Sequence, residues 1–349
     1  MSTIRNRSRL SYSTWVGALA LGTAVAIVVA SGMGYIQISP GEVLRIILAR
    51  LSADSSLLLD MDKVFPFVVL DVRLPRILCA ALVGAGLATA GVVYQGVLLN
   101  PLADPYTLGV SSGAAFGAAL ALLLDMTMLG HFSVPLFAFG GAVATLFIVM
   151  SLSSFDGQMS ANTLILAGVI VGAILAAAIS FIKYLADEQV SVIIFWLMGS
   201  FASRTWTHVL MVLAALTIGL AITVFYGRDL NILSLGNRAA ASLGVETVKT
   251  RRILLISASM LAAICVSVSG IIGFIGLIVP HLMRFLVGPD NRRLLVVSAL
   301  AGAILLLVAD TVTRAVLPRE VPVGIITALL GGPFFCYIFR TRRKGGWFG

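Results

Sequence analysis

Apolar runs and short polar connections alternate along the whole chain. Ten runs are long enough to enter a bilayer, at 15–36, 77–99, 108–124, 134–152, 164–185, 209–226, 253–269, 270–287, 294–313 and 323–339. A helix crossing the ~30 Å hydrocarbon core needs about 20 such residues. In lipid every backbone polar group must be satisfied within the segment, which leaves helices or a closed barrel. The alternating pattern of a barrel strand is absent. The pattern predicts an all-α polytopic membrane protein, a single transmembrane domain over 1–349, with ten transmembrane helices in a compact bundle.

Two runs need a decision. The first follows Arg5, Arg7 and Arg9, as a signal peptide would. Its apolar stretch runs past twenty residues and nine more spans follow, so it is expected to stay as an uncleaved helix. The run 253–287 is too long for one span and short for two. As a hairpin turning near Gly270, Gly273 and Gly276, it places 15 Lys and Arg with 5 acids on one side of the membrane and 9 with 10 acids on the other. Basic residues stay cytoplasmic. Both termini are therefore expected in the cytoplasm.

Composition narrows the function. The chain is 59% hydrophobic and 11% charged, with mean hydropathy +1.06. A soluble protein of this length would expose more charge than that. The net charge of +9 is accounted for by cytoplasmic loops, so no nucleic-acid partner is implied. Cys79, Cys265 and Cys336 lie inside predicted spans without paired spacing and read as small buried hydrophobes. His131, His208 and His281 form no ligand pair, so no metal or other cofactor is expected. No phosphate-binding Gly-x4-Gly-Lys loop occurs.

The connections hold the candidate chemistry. The longest outer one, 37–71, precedes Arg73-Leu74-Pro75-Arg76 at the mouth of span 2. Arginines on the outer side run against the positive-inside tendency: either they meet a partner or they snorkel to lipid phosphates. Arg314 and Arg319 lie on the same side. The apolar stretch 190–201, flanked by Trp196 and Trp206, is too short to span and reads as interfacial or re-entrant. The inner connection 227–252 carries five basic residues, with Gly236 and Gly244 bracketing an Ala-rich run. It reads as short helices under the membrane, a surface-lying element or, as its length favours, a docking element. Asn100-Pro101-Leu102-Ala103-Asp104-Pro105 forms a rigid inner turn. Inside the membrane, Gln95 is expected to bond a neighbouring helix and Asp310 to pair with Arg314 one turn later. Small residues four apart, such as Gly84 with Ala88 and Gly113 with Gly117, predict close helix packing.

These motifs, in order, resemble the FecCD family of permease subunits of type II ATP-driven importers for iron–siderophores, haem and vitamin B12. The resemblance runs from about Arg73 to Phe339. It rests on Arg73-Leu74-Pro75-Arg76, Leu82-Val83-Gly84-Ala85, Gln95 and Asn100 to Pro105. It continues through Trp196-Leu197-Met198-Gly199-Ser200, Leu243-Gly244-Val245, Gly273-Phe274-Ile275-Gly276-Leu277 with Pro280-His281, Ala309-Asp310 with Arg314, and Glu320-Val321-Pro322-Val323-Gly324 with Thr327.

The resemblance implies a permease of the cytoplasmic (inner) membrane that works as a homodimer, with ATP hydrolysed on two separate cytosolic ATPase subunits and cargo delivered by a periplasmic or lipoprotein binding protein. It implies docking of that binding protein on Arg73, Arg76 and Arg314. A cytoplasmic gate would form from Asn100 and Leu102 with Ser160, Ala161 and Asn162. Coupling to the ATPases would run through Leu235, Gly236, Arg238, Ala240, Leu243 and Gly244. It also implies that spans 2–5 and 7–10 are related repeats; the odd offset of five spans makes them inverted. An iron–siderophore is the expected cargo, with a corrinoid or haem as alternatives. The rival reading is a transporter driven by an ion gradient without ATP, for which Asp310 is the one candidate coupling acid. A membrane enzyme lacks any nucleophile–base or metal constellation.

Overall fold

The computed structural model describes residues 11–58, 60–126, 130–155, 158–317 and 319–343. In chain order its helices are α1 (Tyr12–Gly32), α2 (Pro40–Ser52), α3 (Val64–Phe67), α4 (Leu74–Val97), α5 (Val110–Leu123), α6 (Ser133–Ser153), α7 (Ala161–Leu185) and α8 (Val190–Leu197). They continue as α9 (Trp206–Phe225), α10 (Gly227–Leu233), α11 (Asn237–Ser242), α12 (Thr247–Ser269), α13 (Ile275–Val287), α14 (Asn291–Ala315) and α15 (Val323–Arg343). A π-helical turn, Val68–Arg73, joins α3 to α4. A minimal hairpin between α6 and α7, β1 (Ser154–Phe155) against β2 (Gln158–Met159), is the one departure from all-α among the described residues.

Seven helical segments are long and apolar enough to cross a membrane: α1, the continuous Val64–Val97, α6, α7, α9, α12 and α14. They coincide with predicted spans 1, 2, 4, 5, 6, 7 and 9. Three shorter apolar helices, Val110–Leu123, Ile275–Val287 and Val323–Tyr337, stand where spans 3, 8 and 10 are predicted. The basic residues Arg5, Arg7, Arg9 and Lys344 lie outside the described residues.

α4 is the centre of the bundle. All of it is buried except Leu78 and Leu82, and it packs against α9, α12, α13 and, most extensively, α14. Its composition makes this possible. Lipid tails are as apolar as leucine, so helices associate through close packing, which small residues permit. A side chain at Gly84 would collide with the Gly302 carbonyl, and one at Gly91 with the backbone of Gly276. The remaining helices wrap this seam; α1 is the most peripheral, leaning on α14.

Three sequence expectations are corrected. Span 2 begins at Val64 rather than at residue 77, so Arg73 and Arg76 lie within a continuous helix and not in a loop. Pro75 has no N–H to give its own helix, and the wide π-helical turn just before it absorbs the misfit. The connection 37–71 is largely structured: α2 starts with a capping box in which Ser39 and Glu42 bond each other's backbone amides. The third correction concerns 270–287. The turn does fall at Gly270, which has φ +72°, but residues 270–274 are not helical and α13 starts only at Ile275. Thirteen residues rise about 20 Å, less than a full hydrocarbon core.

The non-helical 270–274 packs against protein, with Gly270 and Ile272 buried and the rest half-buried, as unwound backbone in a membrane protein requires. Beside it, the non-helical segment after α8 bonds the end of α12 and the first amides of α15. Ser200 donates its amide to the Ser269 carbonyl at 2.8 Å, Val323 to Gly199 at 3.1 Å and Gly324 to Met198 at 3.2 Å. The stretch 190–201 is thus a short helix, α8, followed by a chain segment bonded into the bundle, too short to span as expected. Cys79 and Cys265 are buried as expected, whereas Cys336 is exposed.

Candidate functional site

The pole that the charge pattern assigns to the outer side is organised by three arginines. Helix α1 ends there with its last carbonyls lacking partners, as every helix does. Arg73 donates from Nη1 to the carbonyls of Ser31 (2.8 Å) and Gly32 (3.1 Å) and from Nη2 to Ile36 (2.5 Å). Arg314, reaching from α14, donates to the carbonyls of Met33 (2.5 Å) and Ala30 (2.9 Å). Two cations thus cap the negative end of one helix, where they also complement its dipole. They flank Gly34 so closely that a side chain there would strike both guanidinium groups.

Arg76 faces the other way. Its Nε and Nη2 grip the carboxylate of Asp310 at 2.8–3.1 Å, and Nη2 also meets Glu320 Oε1 at 2.6 Å. Asp310 is 1% exposed, so the expected partner, Arg314, is replaced by Arg76. The helical spacing of four made Arg314 the local choice. The pair that forms is instead 234 residues apart in sequence, and packing of α4 on α14 brings it together.

The inner end gathers the second group of candidates. After α4, Leu99 takes a positive φ of +50° and the chain turns. Asn100 Oδ1 accepts from the Leu102 amide at 2.9 Å, and Leu102 itself is 40% exposed. Asp104 Oδ1 accepts from the amides of Tyr106 and Thr107 and from the Thr107 hydroxyl. Burial pushes the Asp104 carboxyl up to about 6, opposed by these same hydrogen bonds. Gln95 bonds a neighbouring helix as expected, donating to the Leu277 carbonyl at 3.2 Å while its Oε1 accepts from Arg284 at 3.1 Å. Ser160, Ala161 and Asn162 open α7. Ser160 is its N-cap, exchanging hydrogen bonds with Thr163, and Asn162 is exposed. Among the described residues no hydrogen bond joins this trio to Asn100 or Leu102.

The inner connection forms α10 and α11 as expected. Gly236, φ +97°, and Gly244, φ +82°, bound α11 in conformations that favour glycine. Leu235 and Leu243 are 67% and 60% exposed, Arg238 is exposed, and Ala240 is fully buried. Sequence reasoning missed the residue that fixes this element. Arg251, buried on α12, donates to the Met159 carbonyl of the β-hairpin and to Asn237 Oδ1 at 2.7 Å. Asn231 performs the matching task on α10, bonding Asp290 and the Asn291 amide at the start of α14. Among the charges of this loop, only burial separates Arg251 from its exposed neighbours, and burial has no signature in a single sequence.

A model of the FecCD transport family matches residues 22–341. The chain belongs to that family. FecCD relatives include the cobalamin import permease of Halobacterium salinarum, 45% identical over 79% of this chain and 74% of that one, and the molybdate import permease of Haemophilus influenzae, 38% identical over 96% and 98%. An inward-facing transporter of metal-chelate ABC type superposes with a TM-score of 0.80 at 35% identity, covering 94% of this chain and 99% of that one. The chain is thus an ABC transporter permease of the FecCD type, and the helices carrying the three residue groups lie within the matched region.

Two predictions follow from the geometry. Asp310→Asn leaves the buried Arg76 guanidinium short of an anion and should cost about 3 kcal/mol in unfolding of the detergent-solubilised chain, while the paired replacement Arg76→Met with Asp310→Leu should cost less. Asp104 is raised in the folded chain, which therefore holds its proton up to about pH 6. The unfolded chain releases that proton near pH 4, so stability should fall as pH rises from about 4 to 6. Asp104→Asn cannot ionise and should erase that slope in thermal unfolding.

Proposed function

We propose that this permease is the translocation subunit of a type II importer in the cytoplasmic membrane, with both termini inside, as the charge split supports. Two copies form the pathway. ATP is hydrolysed on two separate cytosolic subunits, and a periplasmic or lipoprotein binding protein brings the cargo to the outer pole. The carrying observation is the surface around α11: Leu235 and Leu243 stand exposed at its two ends on the side that the charge pattern assigns to the cytoplasm. Exposed apolar residues on a rigid protrusion mark an interaction surface.

Arg251 gives that surface a mechanical connection. Because it binds both α11 and the hairpin that leads into α7, displacement of α11 by a closing ATPase pair moves α12 and the start of α7 together. Asn100 and Leu102, with Ser160, Ala161 and Asn162, then act as the gate at the inner end. The driving energy is the difference in affinity of the ATPases for the two states of the permease.

At the outer side Arg76 is the arginine a docking partner can still claim, because its second anion, Glu320, is half exposed. An acid of the binding protein competes with Glu320 for that guanidinium, while Arg73 and Arg314 shape the pole on which it lands. The cargo is an iron–siderophore or a similar bulky chelate, with a corrinoid or haem as alternatives. Relatives named for cobalamin and for molybdate show that cargo is not read from family membership. The gradient-driven alternative is disfavoured by Asp310, whose carboxylate is gripped by Arg76 and has no free role for a coupling ion.

In proteoliposomes holding this chain with its ATPase, hydrolysis should require both chains and rise when the binding protein is added. Lack of association with any ATPase would overturn the reading. If Arg76 receives an acid of the binding protein, Glu320→Gln should tighten binding-protein affinity by a few-fold; unchanged or weaker affinity would remove Arg76 from docking.

A further inference from the structure

The outer side carries a second feature, to which the proposed transport cycle assigns no role. A cleft of about 530 Å³ opens between α2, the outer end of the Val64–Val97 helix and the first residue of α9. Its walls are apolar, with Ile47, Leu51 and Leu70 among them, and one charge of each sign lines it, Arg50 and Asp71. Both charged residues are exposed, and neither forms an ion pair or hydrogen bond among the described residues. Trp206 also lines the cleft, its Nε1 donating to the Leu70 carbonyl at 3.1 Å. That fixes an indole ring at the start of a membrane helix, the depth at which aromatic side chains meet headgroups.

The surroundings point the same way. Along α2, Val43, Ile46 and Ala49 face the protein, while a second stripe, Leu44, Leu48 and Leu51, is exposed at 47%, 55% and 79%. A helix with an exposed apolar stripe and basic residues beside it lies in the membrane interface. The cleft therefore opens at headgroup level, beside acyl chains.

We infer that this cleft is a binding site for one zwitterionic phospholipid of the outer leaflet, with its phosphate on Arg50, its ammonium on Asp71 and its acyl chains against Leu51 and Leu70. The pairing of charges decides the class. Arg50 alone would take any anionic headgroup, but a free carboxylate in the same cleft repels a lipid with net negative charge and gives a primary ammonium its acceptor. Phosphatidylethanolamine carries a phosphate and a primary ammonium in one headgroup. The site depends on the chain's place in a membrane, not on the identity of its cargo or its ATPase.

The test is native mass spectrometry of the purified full chain, offered phosphatidylethanolamine, phosphatidylglycerol or phosphatidylcholine at equal concentration. Phosphatidylethanolamine should be retained best. Arg50→Gln and Asp71→Asn should each lower its retention about fivefold, the weight of one charge near a membrane surface, and Arg45→Gln, on the same helix but outside the cleft, should not. Retention of phosphatidylglycerol equal to or above that of phosphatidylethanolamine would overturn the proposal, as would a double Arg50→Gln, Asp71→Asn variant that binds like the parent. A second readout needs no charge change. A phosphatidylethanolamine brominated on its acyl chains should quench a component of the emission that Trp206→Phe removes, and identical quenching in the two chains would refute the site.

Discussion

Backbone polar groups inside a membrane have no water to fall back on, and this chain meets that requirement in two ways. Its long helices satisfy their own amides and carbonyls. Where helices stop or unwind, the partner comes from another part of the chain. At the end of α1 the partners are guanidinium groups, Arg73 and Arg314. At the meeting of 198–200, 269–270 and 323–324, the non-helical segment after α8 bonds the end of α12 and the first two amides of α15. Remove the donors at the first place and several carbonyls lose their acceptor–donor balance at once. The outer architecture depends on this exchange, because the arginines that cap α1 also tie it down, Arg314 to α14 and Arg73 to the turn that opens α4.

The bundle below depends on a different economy, that of size. α4 is almost entirely buried, yet much of it is glycine and alanine. Its neighbours approach until backbones touch, and the hydrogen-bonding side chains along it are Arg76 near the outer end, Thr89 in the middle, and Tyr94 and Gln95 near the inner end. The two ends are the places where α4 makes ionic or amide contacts with α14 and α13. A smooth middle with specific ends suits an element that must keep its register while helices around it shift.

Much of this was legible in the sequence. Apolar length alone reads ten spans, of which seven are helices long enough to cross and three are shorter apolar helices at the predicted places, and the glycine spacing anticipates the tight seam. The inner helices α10 and α11 are announced by Gly236 and Gly244. What was not legible has common physical causes. The start of span 2 was read from hydropathy, which drops at Asp71 and Arg73, while the helix continues because those side chains find partners or the surface. The partner of Asp310 was read from helical spacing, a local rule, whereas the pairing is tertiary. The truncated α13 was read as a full span because its unwound leader, 270–274, is as apolar as a helix. Arg251 and Asn231 were invisible because only their burial and their distant partners distinguish them. The proposed docking, gate and coupling positions are located by family resemblance alone, whereas local structural duties, such as Ser160 capping α7, become visible only in the folded chain.

The π-helical turn at Val68–Arg73 has a consequence for how the outer cap can vary. An α-helix advances about 100° per residue, and the wide turn holds a residue beyond the regular repeat. It acts as a phase shift, so that the segment from Val64 and the shaft of α4 keep separate rotational registers along one continuous rod. Arg73 can then face α1 while Arg76, three residues on, faces α14. A one-residue deletion in this turn would not simply shorten the rod; it would turn the whole outer segment about its axis, swinging Trp206's carbonyl partner and the α2 contacts away from their neighbours. Insertions and deletions elsewhere in the outer connection change its length, but at this turn they change its direction.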